Sequence, residues 1–201
     1  MSRKLTLADI DDLRAYERRR DEERRRVIAL RARRRVSVGP LVSVAFENRD
    51  TIWYQIQEMA RVERMISDDA LQGEIDAYNP LIPEPGQLSA TLFIELTDDA
   101  SMRSWLPRLV GVERAVELRI GGPNGSGADV VRCVPEAAHE DLLTRPEATS
   151  AVHYIRFELD PAQVEAFAAA AVMLAVAHPS YDHATELTAA TKAELLADLR
   201  S

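Results

Sequence analysis

The chain has 201 residues, 46% of them apolar and 29% charged, with a formal net charge of −8. That composition belongs to a globular protein, and the length suits one domain able to bury its own core. A single cysteine, Cys133, excludes an internal disulfide. The longest near-apolar run, Phe167 to Ala177, is far short of the roughly 20 residues that a membrane-spanning helix needs. The opening Met1-Ser2-Arg3-Lys4 carries no apolar signal core, so a cytoplasmic protein without a membrane partner is expected.

The first element reads as a helix. Thr6 is placed to cap it, Asp9 completes a capping box, and Leu5 and Ile10 sit where a hydrophobic staple would form. Ile10, Leu13 and Tyr16 make one apolar stripe. Ten charged residues follow, Glu17 to Arg26, spaced for the pairs Arg18–Glu22, Arg19–Glu23, Asp21–Arg25 and Glu22–Arg26. Such a stretch is stable in water without a buried face, so the helix is expected to project or to bridge subunits. Residues 1–35 hold 13 Lys and Arg against 7 Asp and Glu, a basic arm of +6 on a body of −14. The organisation expected is therefore an N-terminal charged helix over 1–35 and a single α+β domain over 36–201.

Val36, Val38, Val42, Val44 and Phe46 share one parity, the mark of a half-buried strand or strand pair, interrupted by a turn at Gly39-Pro40. A helix is expected over 51–66, capped by Asp50, and a short one over 68–77. Three prolines between Tyr78 and Gln87 force an extended loop. Ala90, Leu92, Ile94 and Leu96 alternate as a strand. A helix starts at Thr97-Asp98-Asp99 and ends near Pro107 or Gly111, and Val116, Leu118 and Ile120 mark a further strand. Gly121 to Gly127 reads as a hairpin loop into a strand Val130–Val134. Residues 151–159 form a strand, Asp160-Pro161-Ala162-Gln163 starts a helix, Val172 to Ala177 is a strand buried on both faces, and Thr188 caps a last helix. The order gives an α+β fold with a mixed, mostly antiparallel sheet, flanking helices and a long charged N-terminal helix.

Most chemical motifs are weak. The glycine-rich loop leads into a strand, whereas a phosphate cradle must open a helix. Glu136-Ala-Ala-His139 is one copy of a spacing that di-iron bundles use twice on long helices, with a surface turn as the alternative. His153 shares parity with Ile155 and Phe157 and reads as a satisfied buried histidine. His178 and His183, with Tyr181 and Asp182, either line a site where a strand exits or form a polar turn. Cys133 has no local activating partner. No spacing closes a metal site, so neither metal nor cofactor is expected.

The densest polar cluster is Glu47-Asn48-Arg49-Asp50, continued on the following helix by Gln55, Glu58 and Arg61 as one ridge. It follows a strand end, where binding groups often gather. Read functionally, Glu47, Arg49, Gln55 and Glu58 form a ligand site, with Asn79 delivered by the proline-stiffened loop and His178 and Tyr181 nearby. Read structurally, they are caps and a solvated ionic face.

Several stretches together resemble an uncharacterised bacterial family, a domain of unknown function. They are Val38-Gly39-Pro40, Phe46 to Thr51, Tyr54-Gln55-Ile56-Gln57-Glu58-Met59, Tyr78-Asn79-Pro80-Leu81-Ile82-Pro83, and His178-Pro179 with Tyr181. Members look to be encoded beside rubrerythrin-like di-iron proteins and iron–sulfur proteins similar to heterodisulfide reductase subunits. The resemblance implies an accessory role in redox or peroxide defence and a redox protein partner of that kind, with no known catalytic residue. The leading expectation is thus a non-enzymatic accessory or binding protein that forms a homo-oligomer. The first alternative is a small enzyme or small-molecule-binding protein with its site around residues 47–58. The second is nucleic-acid binding through the Arg-rich helix, which interleaved acids and the lack of stacking aromatics disfavour.

Overall fold

Alternation along each strand places one set of side chains between two sheets and the other set outside. In the computed structural model, which describes residues 3–121, 129–136, 144–145 and 147–201, the Gly39-Pro40 turn joins β1 (Arg35–Val38) to β2 (Val42–Glu47) as an antiparallel pair. β2 pairs with β3 (Gln87–Ile94), β3 with β9 (Val152–Glu158), and β9 with the short β6 (Val134–Pro135). A second sheet has the order β11–β10–β4–β5, from β4 (Val116–Ile120), β5 (Asp129–Arg132), β10 (Val172–His178) and β11 (Tyr181–Glu186). A small ladder joins β7 (Thr144–Arg145) to β8 (Ala148–Thr149). The fold is α+β as expected, but with two larger sheets among the described residues, where every pairing is antiparallel. The expected strand Val130–Val134 is split at Cys133, where the chain leaves one sheet for the other.

The larger core contains Val36, Val44, Phe46, Leu88, Leu92 and Phe157 of the first sheet and Val116, Leu118, Leu174 and Val176 of the second. Helices α5 (Pro161–Ala169) and α6 (Ala189–Arg200) add Val164, Phe167, Leu195 and Leu199. Both have the caps read from sequence, Asp160 with Gln163 and Thr188. His153 faces inward as expected. It is buried, and its Nε2–H meets the Ser150 carbonyl at 2.9 Å and Thr149 Oγ1 at 2.7 Å. Strand β10 is not covered on both faces throughout, since Ala177 is exposed and Met173 only half-buried.

A smaller cluster gathers α1 (Leu13–Arg34), α2 (Arg49–Glu63) and α3 (Asp68–Tyr78) through Tyr16, Val27, Ile52, Trp53, Ile56 and Ile75. Helix α4 (Asp99–Trp105) is short and runs into a 3-10 turn, Leu106–Leu109. The capping box at Thr6 and Asp9 forms, but on a 3-10 turn over Leu7–Asp9; α1 starts later, capped by Asp12. The cap of α2 is Asn48 rather than Asp50, because the Asn48 side chain accepts from Thr51 N while Thr51 Oγ1 accepts from Asn48 N.

The charged stretch of α1 buries no side chain completely, yet the helix lies along α2 and does not project freely. Most of its ion pairs are not the i,i+4 set. Arg20 reaches Glu58, Arg26 reaches Glu23 and Asp50, and Arg19 pairs with Asp11. The helix is thus tethered by arginines to acids on the neighbouring segments. Its last residue, Arg34, is buried between strand and helix, donating to the carbonyls of Phe46 at 2.9 Å and Glu47 at 3.1 Å and pairing with Asp198 of α6. Among the described residues, no helix is long and apolar enough to cross a membrane.

Candidate functional site

The outward-facing residues of the first sheet build a floor. Register places Arg35 beside Ala45, Ala45 beside Thr91 and Thr91 beside Tyr154, one row across four strands, with Phe93 beside Val152 in the next row. Above it, α2 supplies Ile52 and Gln55, α3 supplies Tyr78, and the 3-10 turn Asn79–Leu81 supplies Leu81. Arg31 of α1 completes the lining of a cavity of about 250 Å³.

Glu47 enters this cavity as the last residue of β2. Its carboxylate is oriented by two hydroxyls: Thr51 Oγ1 donates to Oε2 at 2.6 Å and Thr91 Oγ1 to Oε1 at 2.8 Å. Thr51 can do this because it sits in the first turn of α2, folded back over the strand end. Among the described residues, no ion pair reaches Glu47. Tyr78 shares a hydrogen bond with Gln55, and burial, with Glu74 nearby, pushes its phenol pKa up. The Tyr154 phenol is also pushed up, first by burial and then by Tyr78 and Glu47. Both tyrosines are therefore neutral hydrogen-bonding groups near pH 7. Arg35 lies over the Phe93 ring at 4.8 Å and pairs with Glu95; Arg31 lies over Tyr54 at 5.8 Å.

Of the residues singled out in sequence, Glu47 and Gln55 meet in this cavity, and the others have separate partners. Arg49 pairs with Asp9. Asn79 clamps the backbone of Leu5, accepting from its N–H at 2.8 Å and donating to its carbonyl at 2.9 Å. His178 donates from Nε2 to the Val110 carbonyl at 3.1 Å while Nδ1 accepts from Ser180 N. Tyr181 donates to the Val38 carbonyl at 2.7 Å and accepts from Leu41 N at 2.9 Å, tying the two sheets together. Within the glycine-rich loop, residues 122–127 fall outside the described residues, as does His139 of the Glu136–His139 motif.

Glu58 lies between α1 and α2, accepting from Tyr16 at 2.7 Å and from Arg20 Nε and a second guanidinium nitrogen, each at 2.8 Å. The hydrogen bonds from Arg20 outweigh burial and, with Tyr16 and Arg61, hold its pKa at about 2, below its ordinary 4.5. A depressed carboxylate stabilises the fold above its unfolded pKa and loses that contribution as pH falls toward the folded value. Glu58→Gln is expected to remove this contribution. Urea unfolding at pH 5 and pH 2.5 should show the wild type losing about 2 kcal/mol more than the variant on acidification. An equal loss in both proteins would mean that the clasp contributes nothing.

Sequence reasoning missed Arg31, Arg35, Tyr78, Thr91, Phe93 and Tyr154. The available signal was the parity opposite to the core: a half-buried outer face that carries Thr91, Phe93 and Tyr154 has something packed over it. Cys133 is not part of the site. Its thiol donates to the Glu113 carbonyl at 3.1 Å, and burial pushes its pKa up to about 12, so it is unreactive at neutral pH. Among the described residues, no group of three or more His, Cys, Asp or Glu is placed to hold a metal ion.

No curated protein matches this chain. Among solved structures, the crystal structure of a novel protein of unknown function from Burkholderia pseudomallei K96243 is similar, with 37% sequence identity and a TM-score of 0.88. The match covers 98% of this chain and 99% of that one. Residues 4–199 match the family described as "Protein of unknown function (DUF3501)", and the chain belongs to that family.

Proposed function

We propose that the chain is a binding protein whose ligand is a small molecule held in the cavity between the first sheet and α2–α3. The observation that carries this reading is the Glu47 carboxylate. Two hydroxyls orient it, no ion pair reaches it among the described residues, and aromatic and apolar side chains surround it. Two hydroxyl donors fill only part of the acceptor capacity of a carboxylate, and the rest is open to a ligand in the cavity. The segments that carry the family resemblance supply Glu47, Gln55, Tyr78 and Leu81 to this one place.

The accessory role in a redox or peroxide-defence system is supported by the family resemblance alone. The same holds for a rubrerythrin-like or iron–sulfur partner. Self-association is supported by the charge contrast between residues 1–35 and the rest of the chain.

Thermal unfolding against a metabolite library tests the binding reading. A ligand at 100 times its Kd stabilises the native state by about 2.7 kcal/mol. Ala45→Phe fills the cavity floor and is expected to abolish that shift while leaving the unliganded protein folded. Shifts of equal size in both proteins, or no shift with any compound, would reject the cavity as the site.

A further inference from the structure

Resting on the binding reading above, we infer that the cavity takes a small zwitterion, of amino-acid size, with its cationic nitrogen at Glu47 and its anionic group at Arg31. The cavity lining holds three charged side chains, Arg31, Arg35 and Glu47. Arg35 is already occupied by Glu95. Arg31 and Glu47 have opposite charges, line the same space and form no ion pair with each other or with any other described residue. Elsewhere on α1, Arg19 takes Asp11, Arg20 takes Glu58, Arg26 takes Glu23 and Asp50, and Arg33 takes Glu194, while Arg14, Arg18, Arg24 and Arg25, without an ion pair among the described residues, are exposed to solvent. Arg31 is half-buried against Tyr54 and has no such acid.

An ionised carboxylate offers about four lone-pair positions, and the two threonine hydroxyls fill only two. The remaining positions suit an ammonium or guanidinium group. Tyr78 and Tyr154 line the same cavity, and a cation held beside aromatic rings gains further from their quadrupoles. At the other charge, a planar guanidinium offers a fork matched to a carboxylate or phosphate. A ligand bearing only one charge would leave the other, half-buried cavity charge unpaired, so the charge pattern selects against it. The volume of about 250 Å³ is below the roughly 300–1,000 Å³ of drug-sized pockets. That favours an amino-acid-sized molecule over a nucleotide or flavin.

Calorimetric titration of the full chain tests this directly. The probes are the ω-amino acids from glycine to 6-aminohexanoate, together with L-phenylalanine, n-butylamine, butyrate and neutral benzyl alcohol. At least one zwitterion is expected to bind tenfold or more tightly than n-butylamine and butyrate, with a preferred chain length that reports the separation of the two charges. Glu47→Gln and Arg31→Gln should each weaken that zwitterion by tenfold or more, while circular dichroism melting shows both variants folded. Glu47→Gln keeps the side-chain shape; should it fail to fold, the Arg31→Gln titration decides alone. Binding of n-butylamine equal to that of every zwitterion, or zwitterion binding unchanged by both substitutions, overturns the inference. Benzyl alcohol that binds in an Ala45→Phe-sensitive manner when no zwitterion does leaves the cavity as the site and rejects only this ligand class. Failure of every probe to bind rejects the inference, and the library screen then decides the cavity reading on its own.

Discussion

Arg34→Ala is expected to lower the unfolding free energy by about 3–5 kcal/mol, as breaking a buried ion pair from one side does. The Arg34 side chain is 1% exposed. Its guanidinium supports the carbonyls of Phe46 and Glu47 and pairs with Asp198, with Glu194 at 3.7 Å. Alanine leaves two strand-end carbonyls and a buried carboxylate without their donor. Burial already raises the Asp198 pKa, with Arg34 as the main opposing influence. A carboxylate with a raised folded pKa stabilises the fold below its unfolded pKa and loses that contribution as pH rises. Without Arg34 this penalty grows, so the variant should regain part of its stability between pH 8 and pH 5 and the wild type much less. The double variant Arg34→Met with Asp198→Leu should recover most of the loss, because no buried charge remains unpaired. Chemical denaturation across this pH range reads all three outcomes. A loss under 1 kcal/mol in Arg34→Ala would show that water replaces the guanidinium without cost. Since the same side chain positions the backbone of Glu47, ligand binding should weaken in Arg34→Ala as well.

Gly39→Ala is the second large effect, with an expected cost of roughly 2–5 kcal/mol from left-handed backbone strain and overpacking combined. Gly39 has φ +68°, and a Cβ there would lie 2.5 Å from the Tyr181 hydroxyl and 2.6 Å from the His183 ring. The hydroxyl cannot retreat without releasing the Val38 carbonyl and the Leu41 N–H. Gly111 is the control. It has φ +93° with nothing within 4 Å of the added carbon, so Gly111→Ala should cost only about 1 kcal/mol. If the two variants melt together, the contact with Tyr181 is not what requires glycine at position 39.

Local chemistry carried the legible part of this structure. Alternation at Val36 to Phe46, the caps at Asp160 and Thr188, and the turn at Gly39-Pro40 all depend on neighbours within a few residues. What was not legible depends on distant partners. The division into two sheets follows from β10 pairing with β4 and β3 with β9, contacts that local periodicity does not encode. In the run Glu47 to Asp50 the sequence points to Asp50 as the cap; Asn48 takes the role because its side chain accepts from Thr51 N, which leaves Asp50 inside the first turn. The polar ridge was legible as a set of residues but not as a set of directions. On α2, Gln55 lines the cavity and Glu58 meets Tyr16 of α1: three residues apart they are offset by only about 60°, and the cavity and α1 flank that one ridge.

Strand β3 has a hydrogen-bonded neighbour on each edge, the larger core on one face and the helix-covered cavity on the other. The helical layer of α1–α3 covers the outer face, reaches α6 through Arg33 and Arg34 at the end of α1, and holds a hydrophobic cluster of its own. Lifting that layer opens the cavity and breaks the smaller cluster while the core between the sheets stays closed. Two opening units of unequal free energy are therefore expected, with the amides of β3 in the slower-exchanging one and those of α3 in the faster. A ligand bound in the cavity, as proposed, would bridge the two, since Thr91 and Tyr154 belong to the sheet and Gln55 and Tyr78 to the helices. Its binding energy is then spent on merging them, and the exchange rates of α3 measure occupancy at a distance from the ligand itself.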